Sequence, residues 1–235
     1  INRNIGYLPD NNPLYQDMPV MDYLSFVAGL QGVPKDRVMA KVVEMIRVTG
    51  LNREKHKKIG ELSKGYRQRV GLAQAIIHDP SVLILDEPTD GLDPNQKHEV
   101  RHLIRDMSSE KIIVISTHLL EEVDALCNRA MIISDGRLLV DDTPQGLIAR
   151  SRYHDAITLV VEQPEKAASV LSELPQARKV ELREGELTVF PADGKKLFEV
   201  ISDTVRENNW QVSELRLEAG RLDEVFRQVT QGEVS

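Results

Sequence analysis

"SVLILDEPTDGLDP", residues 81–94, runs four apolar residues, Val82 to Leu85, into two adjacent carboxylates, Asp86 and Glu87. A short unbroken apolar run bounded by turn residues is the pattern of a strand buried on both faces. A carboxylate at the C-terminal end of such a strand lies at the edge where open α/β sheets bind ligands. Asp86 can hold a divalent cation there, and Glu87, on the other side of the strand end, can polarise a water. By itself the pair could equally be an acidic strand-to-loop boundary. The residues that follow add a Pro-restricted turn and then Asp93-Pro94, an N-cap with a proline in the first helical turn. Asp93 can serve as that cap alone or as a cap and a site residue together.

Two further stretches bear on the same edge. "KIIVISTHLL", residues 111–120, is a second apolar run that ends on Thr117-His118. If its strand neighbours the first, His118 sits beside Asp86 and can reach a phosphate oxygen and a nucleophilic water. His98, His102 and His154 have no such position and read as surface or satisfied core residues. "LSKGYRQRVGLAQAII", residues 62–77, opens a helix on Ser63, with Gly65 in its first turn. A hydroxyl and unobstructed backbone N–H groups at a helix N-terminus favour an anion; an ordinary Ser N-cap explains the same residues.

The remaining pattern organises the chain around these stretches. "NIGYLPD" (4–10) reads as a strand leaving into a Pro- and Asn-rich loop. A helix begins at Pro19 with Val20, Leu24 and Val27 on one face, and a second carries Val38, Val42 and Met45 until Gly50. "AMIIS" (130–134) is grouped with 82–86 and 111–116 as a third strand of a parallel sheet, followed by a turn at Gly136 and a short helix at "TPQGLIAR". After about residue 150 the order becomes βαββαβ, which matches a small ferredoxin-like sandwich, and "RLDEVFRQVT" closes the chain as a helix. This predicts an α/β domain with a parallel sheet over 1–150, with a helical subdomain over about 17–80, and an α+β domain over 151–235, which the resemblance given below makes a nucleotide-binding domain and an accessory one.

Composition narrows the functional classes. The net charge of −7 and pI near 5.5 argue against nucleic acid as the main partner. Residues 151–235 hold 11 basic and 16 acidic residues, most of that excess. "REKHKK" (53–58) is a short basic run of the kind found at solvated helix ends. The single cysteine, Cys127, rules out an intrachain disulfide. No apolar run approaches the roughly 18 residues that cross a bilayer. The chain begins at Ile1, directly in strand-like sequence, which suggests an upstream part.

"LSKGYRQR", "VLILDEPTDGLDP" and "ISTH", in that order and spacing, resemble the ATP-binding subunits of ABC transporters, nearest the ABC-2 export type and its gliding-motility-type members. The resemblance covers roughly residues 4–150, and "GRLDEVFRQVT" looks like the ending of the accessory domain many such subunits carry. It makes "LSKGYRQR" the signature motif, with Lys64 in place of a glycine and Tyr66 in place of a glutamine, while Ser63 and Gly65 are kept. It puts Asp10 at the position of the Q-loop glutamine, with a shorter arm. It implies ATP and Mg²⁺ as ligands, Asp86 at the metal, Glu87 and His118 as catalytic residues, and Ser63, Gly65, Asp93 and Asp10 at the nucleotide.

The family's phosphate loop, G-x-x-x-x-G-K-[ST], does not occur in these 235 residues. The resemblance places it upstream of the "IGYLP" strand, so the expectation is an ATPase domain truncated before that loop, inactive by itself. It also implies a head-to-tail pair with a second ATP-binding subunit, a separate transmembrane permease as partner, and a peripheral place at the cytoplasmic face of the membrane. A non-transport ABC ATPase is the rival, but it predicts long coiled coils or fused ATPase domains, and neither pattern is present. For these 235 residues alone, a catalytically incompetent binding module is the second rival.

Overall fold

The computed structural model describes residues 4–231. Its contacts divide the chain into two compact units, 1–122 and 123–235.

The first unit is built on a parallel sheet of β1 (Ile5–Leu8), β2 (Val82–Asp86) and β3 (Ile112–Ser116), in that spatial order. The register sets Leu8 against Leu85 and Asp86 against Ser116. On one face Leu8, Leu83 and Leu85 are fully buried, and burial of each such leucine contributes about 2 kcal/mol. The helix at residues 64–76 packs so closely on β1 that a Cβ at Gly6 would collide with the Ala75 carbonyl and the Leu83 side chain. Only glycine permits that approach. On the opposite face Tyr7, Ile84 and Val114 form one exposed row across the three strands.

Helices α1 (Val20–Leu30), α2 (Val38–Val48) and α3 (Lys64–Ile76) form a helical layer between β1 and β2 in sequence. Their buried stripes follow the helical period: Val20, Tyr23, Leu24 and Val27 on α1, Val42, Met45 and Ile46 on α2. α2 stops at Gly50, whose φ of 72° lets the Leu51 N–H reach back 2.8 Å to the Ile46 carbonyl. α4 (Pro94–Met107) buries Val100 and Ile104 and leads into β3. The short α5 (Leu120–Leu126) starts directly after His118-Leu119.

In the second unit, β4 (Ala130–Ser134) pairs antiparallel with β5 (Arg137–Asp142) as a separate two-stranded sheet. This corrects the grouping of "AMIIS" with the parallel strands. Of its large apolar residues only Ile132 is buried, whereas Met131 and Ile133 are 59% and 65% exposed, the alternation of a strand with one covered face. Asp135 and Gly136, both at positive φ, form the tight turn that joins the two strands. The hairpin lies in the second compact unit.

α6 (Pro144–Ile148) follows, capped by Thr143. The rest runs β6 (Ile157–Val161), α7 (Pro164–Ser172), β7 (Ala177–Arg183), β8 (Glu186–Pro191), α8 (Phe198–Glu207) and β9 (Val212–Leu217). The strands lie in the order β7-β8-β6-β9 with every neighbouring pair antiparallel. Ile157, Leu159, Leu171, Leu187, Val189 and Ile201 make its core. α9 (Leu222–Gln231) is the last helix. Among the described residues no helix is long and apolar enough to cross a membrane.

Candidate functional site at the sheet edge

The pairing of Asp86 with Ser116 brings the ends of β2 and β3 level. Asp86-Glu87 and Thr117-His118 therefore leave the sheet side by side, the juxtaposition on which the sequence expectation depended. Glu87 has a left-handed backbone, φ 46°, which costs a non-glycine residue about 1 kcal/mol. Two backbone bonds hold it there. Its N–H donates to the Ser116 carbonyl at 3.0 Å, and its carbonyl accepts from Asp90 N–H at 3.2 Å.

That twist lets the Glu87 carboxylate meet the end of β3. Its Oε1 accepts the His118 backbone N–H at 2.9 Å and lies 2.8 Å from His118 Nδ1. Its Oε2 accepts the Thr117 hydroxyl at 3.4 Å. An ionised carboxylate can only accept, so Nδ1 carries the proton and Nε2 is left for another partner. The hydrogen bond and charge of Glu87 hold the His118 pKa above the usual imidazole value, with Asp90 and Glu122 adding in the same sense. Of the roughly four acceptor positions on a carboxylate, His118 and Thr117 occupy three on Glu87.

Asp86 is half-buried and accepts a hydrogen bond from the Ser116 hydroxyl. As a hard oxygen donor at a strand end, it fits a site for Mg²⁺, which typically takes one or two carboxylates and completes its shell with water and substrate oxygens. Among the described residues no group of three or more His, Cys, Asp or Glu side chains converges as a metal site. Asp86 would supply one protein ligand of such a shell.

The other expected site residues lie elsewhere in the first unit. Ser63 is exposed and caps α3, its Oγ accepting from Tyr66 N–H at 3.4 Å. Gly65 is buried, and the Gln96 side chain covers it. Asp93 caps α4 by accepting the Gln96 N–H at 3.0 Å, so the starts of α3 and α4 meet. Lys64, the residue in place of a glycine, reinforces this with a 2.9 Å ion pair to Asp90. Asp10 is exposed in the loop just beyond β1. Asp86, Glu87 and His118 are thus brought together, while Ser63, Gly65 and Asp93 gather at the starts of α3 and α4. Thr117, Ser116 and Thr89 were missed: hydroxyls at strand and turn ends carry no periodic signal, and only their places beside Glu87 and His118 could have marked them.

Residues 1–90 match the family model described as ABC transporter. An ABC transporter ATP-binding protein of Bacillus subtilis (strain 168) is 32% identical over 231 residues, covering 97% of this chain and 76% of that protein. The chain belongs to the family of ABC transporter ATP-binding proteins. A second B. subtilis ABC transporter ATP-binding protein is 36% identical over 73% of this chain and 55% of its own length. A Nod factor export ATP-binding protein I from Rhizobium sp. (strain N33) is 29% identical over 83% of this chain and 64% of its own. The chain thus spans between about half and three quarters of these relatives.

Proposed function

We propose that the full-length protein hydrolyses ATP to drive export through a separate membrane permease, with Glu87 and His118 at the reacting centre. The bond between Glu87 and His118 across the ends of β2 and β3 is the observation that supports this most. With three of its acceptor positions taken, Glu87 keeps one on Oε2 for a water, which it orients and from which it draws the proton. Held at Nδ1, the His118 ring turns Nε2 outward, and protonation of that nitrogen gives a donor for a phosphate oxygen. The charged form is the one Glu87 favours. Asp86 would hold Mg²⁺, which when bound would supply charge neutralisation to the substrate phosphates.

Ser63, Gly65 and Asp93 serve the nucleotide from the other side, as part of a pair with a second ATP-binding subunit. Asp10, in the loop after β1, would face the metal or its water with a shorter arm than the glutamine it replaces. Residues 151–235 form an accessory ferredoxin-like domain, and 1–150 the nucleotide-binding one. Export is supported by the name of the Rhizobium relative, and the peripheral, cytoplasmic-face location follows from a permease partner. Glu87→Gln in the full-length protein is expected to lower ATP hydrolysis by about 100-fold or more at unchanged ATP affinity. Hydrolysis at the wild-type rate would overturn the assignment.

A further inference from the structure

Behind the Glu87–His118 pair lies a buried acid with no part in the chemistry above. Glu122, in the first turn of α5, is 1% exposed. Its Oε1 accepts a hydrogen bond from the hydroxyl of Thr89, which is itself completely buried. Its Oε2 is buried with no hydrogen-bond partner. Arg101 Nε, on α4, is also buried without one, and it lies 3.9 Å from Glu122 Oε1, beyond hydrogen-bond range. Burial pushes the Glu122 carboxyl up, against the lowering effect of Thr117, Arg101 and Lys97 and with that of Glu87.

An incompletely satisfied acid in a dry place costs stability, and an apolar residue of similar size would avoid that cost. What the acid does instead is join two segments. Thr89 is two residues after Glu87, separated by Pro88, whose ring fixes φ. Glu122 is four residues after His118, with its N–H donating to the Leu119 carbonyl at 2.9 Å. The bond between Thr89 and Glu122 therefore ties the turn that carries Glu87 to the helix that His118 precedes, on the side away from solvent. It adds a buried tie to the Glu87–His118 contact, the Thr117 and Ser116 hydroxyl bonds and the β2–β3 ladder, which join the two strand ends from the exposed side.

We infer that Glu122 is a positioning residue, which through Thr89 holds Glu87 within hydrogen-bond reach of His118. This rests on the hydrolytic function proposed above, but the geometry can be tested without turnover. The probe is the imidazole titration of His118, followed by NMR in the full-length protein. Glu122 acts on His118 by its own charge as well, so the decisive variant is the uncharged Thr89→Val, which keeps the shape and removes the hydroxyl.

The expected result is a fall of the His118 pKa toward the ordinary imidazole value in Thr89→Val and no change in Thr89→Ser. In the same variants kcat for ATP falls about tenfold in Thr89→Val with KM unchanged, and Thr89→Ser restores it. If Thr89→Val does not fold, Thr89→Cys, whose thiol is a weaker donor, takes its place. A folded Thr89→Val protein whose His118 titrates as in the wild type overturns the inference. Glu87→Gln provides the separate control. If it too leaves the His118 titration unmoved, the pair itself is wrong, and with it the proposed reaction centre.

Discussion

Gln96, in the first turn of α4, lies over Gly65, in the first turn of α3, so that a Cβ added to the glycine would run into the Gln96 side-chain amide. The starts of two helices far apart in sequence are thereby packed together. Glycine at residue 65 permits this approach, and the Gln96 side chain covers the backbone that the sequence reading took as unobstructed.

Gly65→Ala should therefore depend on its neighbour. In a Gln96→Ala background it is expected to stabilise the protein by roughly 0.5 kcal/mol, the helix-propensity gain of alanine over glycine. With Gln96 present the gain should vanish, because the amide must swing away. Urea denaturation of the four proteins of this cycle measures the coupling; equal effects in both backgrounds would refute the packing.

His118 should make stability depend on pH in a definite direction. Its folded pKa lies above its unfolded value because Glu87 favours the charged ring. The stabilisation is then fully present below the unfolded imidazole pKa of about 6.5 and is lost as pH rises through the folded one. The stability difference between wild type and His118→Asn is expected to favour the wild type more at about pH 5.5 than at about pH 8.5. A difference independent of pH would remove Glu87 as the cause.

In the second unit, two guanidinium groups lie over the Tyr153 ring. Arg221 Cζ lies 3.8 Å from its ring centroid and Arg152 Cζ 4.9 Å, while Phe190 packs edge-on at 5.3 Å. Arg221 stands one residue before α9, so its stacking anchors the start of that helix. Arg221→Ala should cost about 1 kcal/mol, and Arg221→Lys should recover little, since an ammonium cannot stack as a planar guanidinium does. Thermal melting of the two variants checks this, and full recovery with lysine would point to simple charge instead.

Much of this could be read from the residues in order. Val82–Asp86 and Ile112–Ser116 declared themselves as strands because short apolar runs between helical periods have few other uses. Ser63, Asp93 and Thr143 marked helix starts because their side chains accept the free N–H groups there. "AMIIS" misled, since an apolar run of that length does not reveal whether one face or two will be covered. Residue 87 was expected simply to alternate with residue 86, and no local pattern signalled its left-handed backbone.

The sequence by itself determined the elements, their order and which residues could carry phosphate chemistry, because period, capping and residue type are local properties. Only the tertiary structure decided which of those residues meet. The β2–β3 register joins Glu87 to His118, and the packing of α3 on α4 sets Gln96 over Gly65. The buried contact of Thr89 with Glu122 fastens the sheet edge from behind. Each depends on segments distant along the chain, whose approach is governed by the burial of a shared core and not by any pattern within either segment.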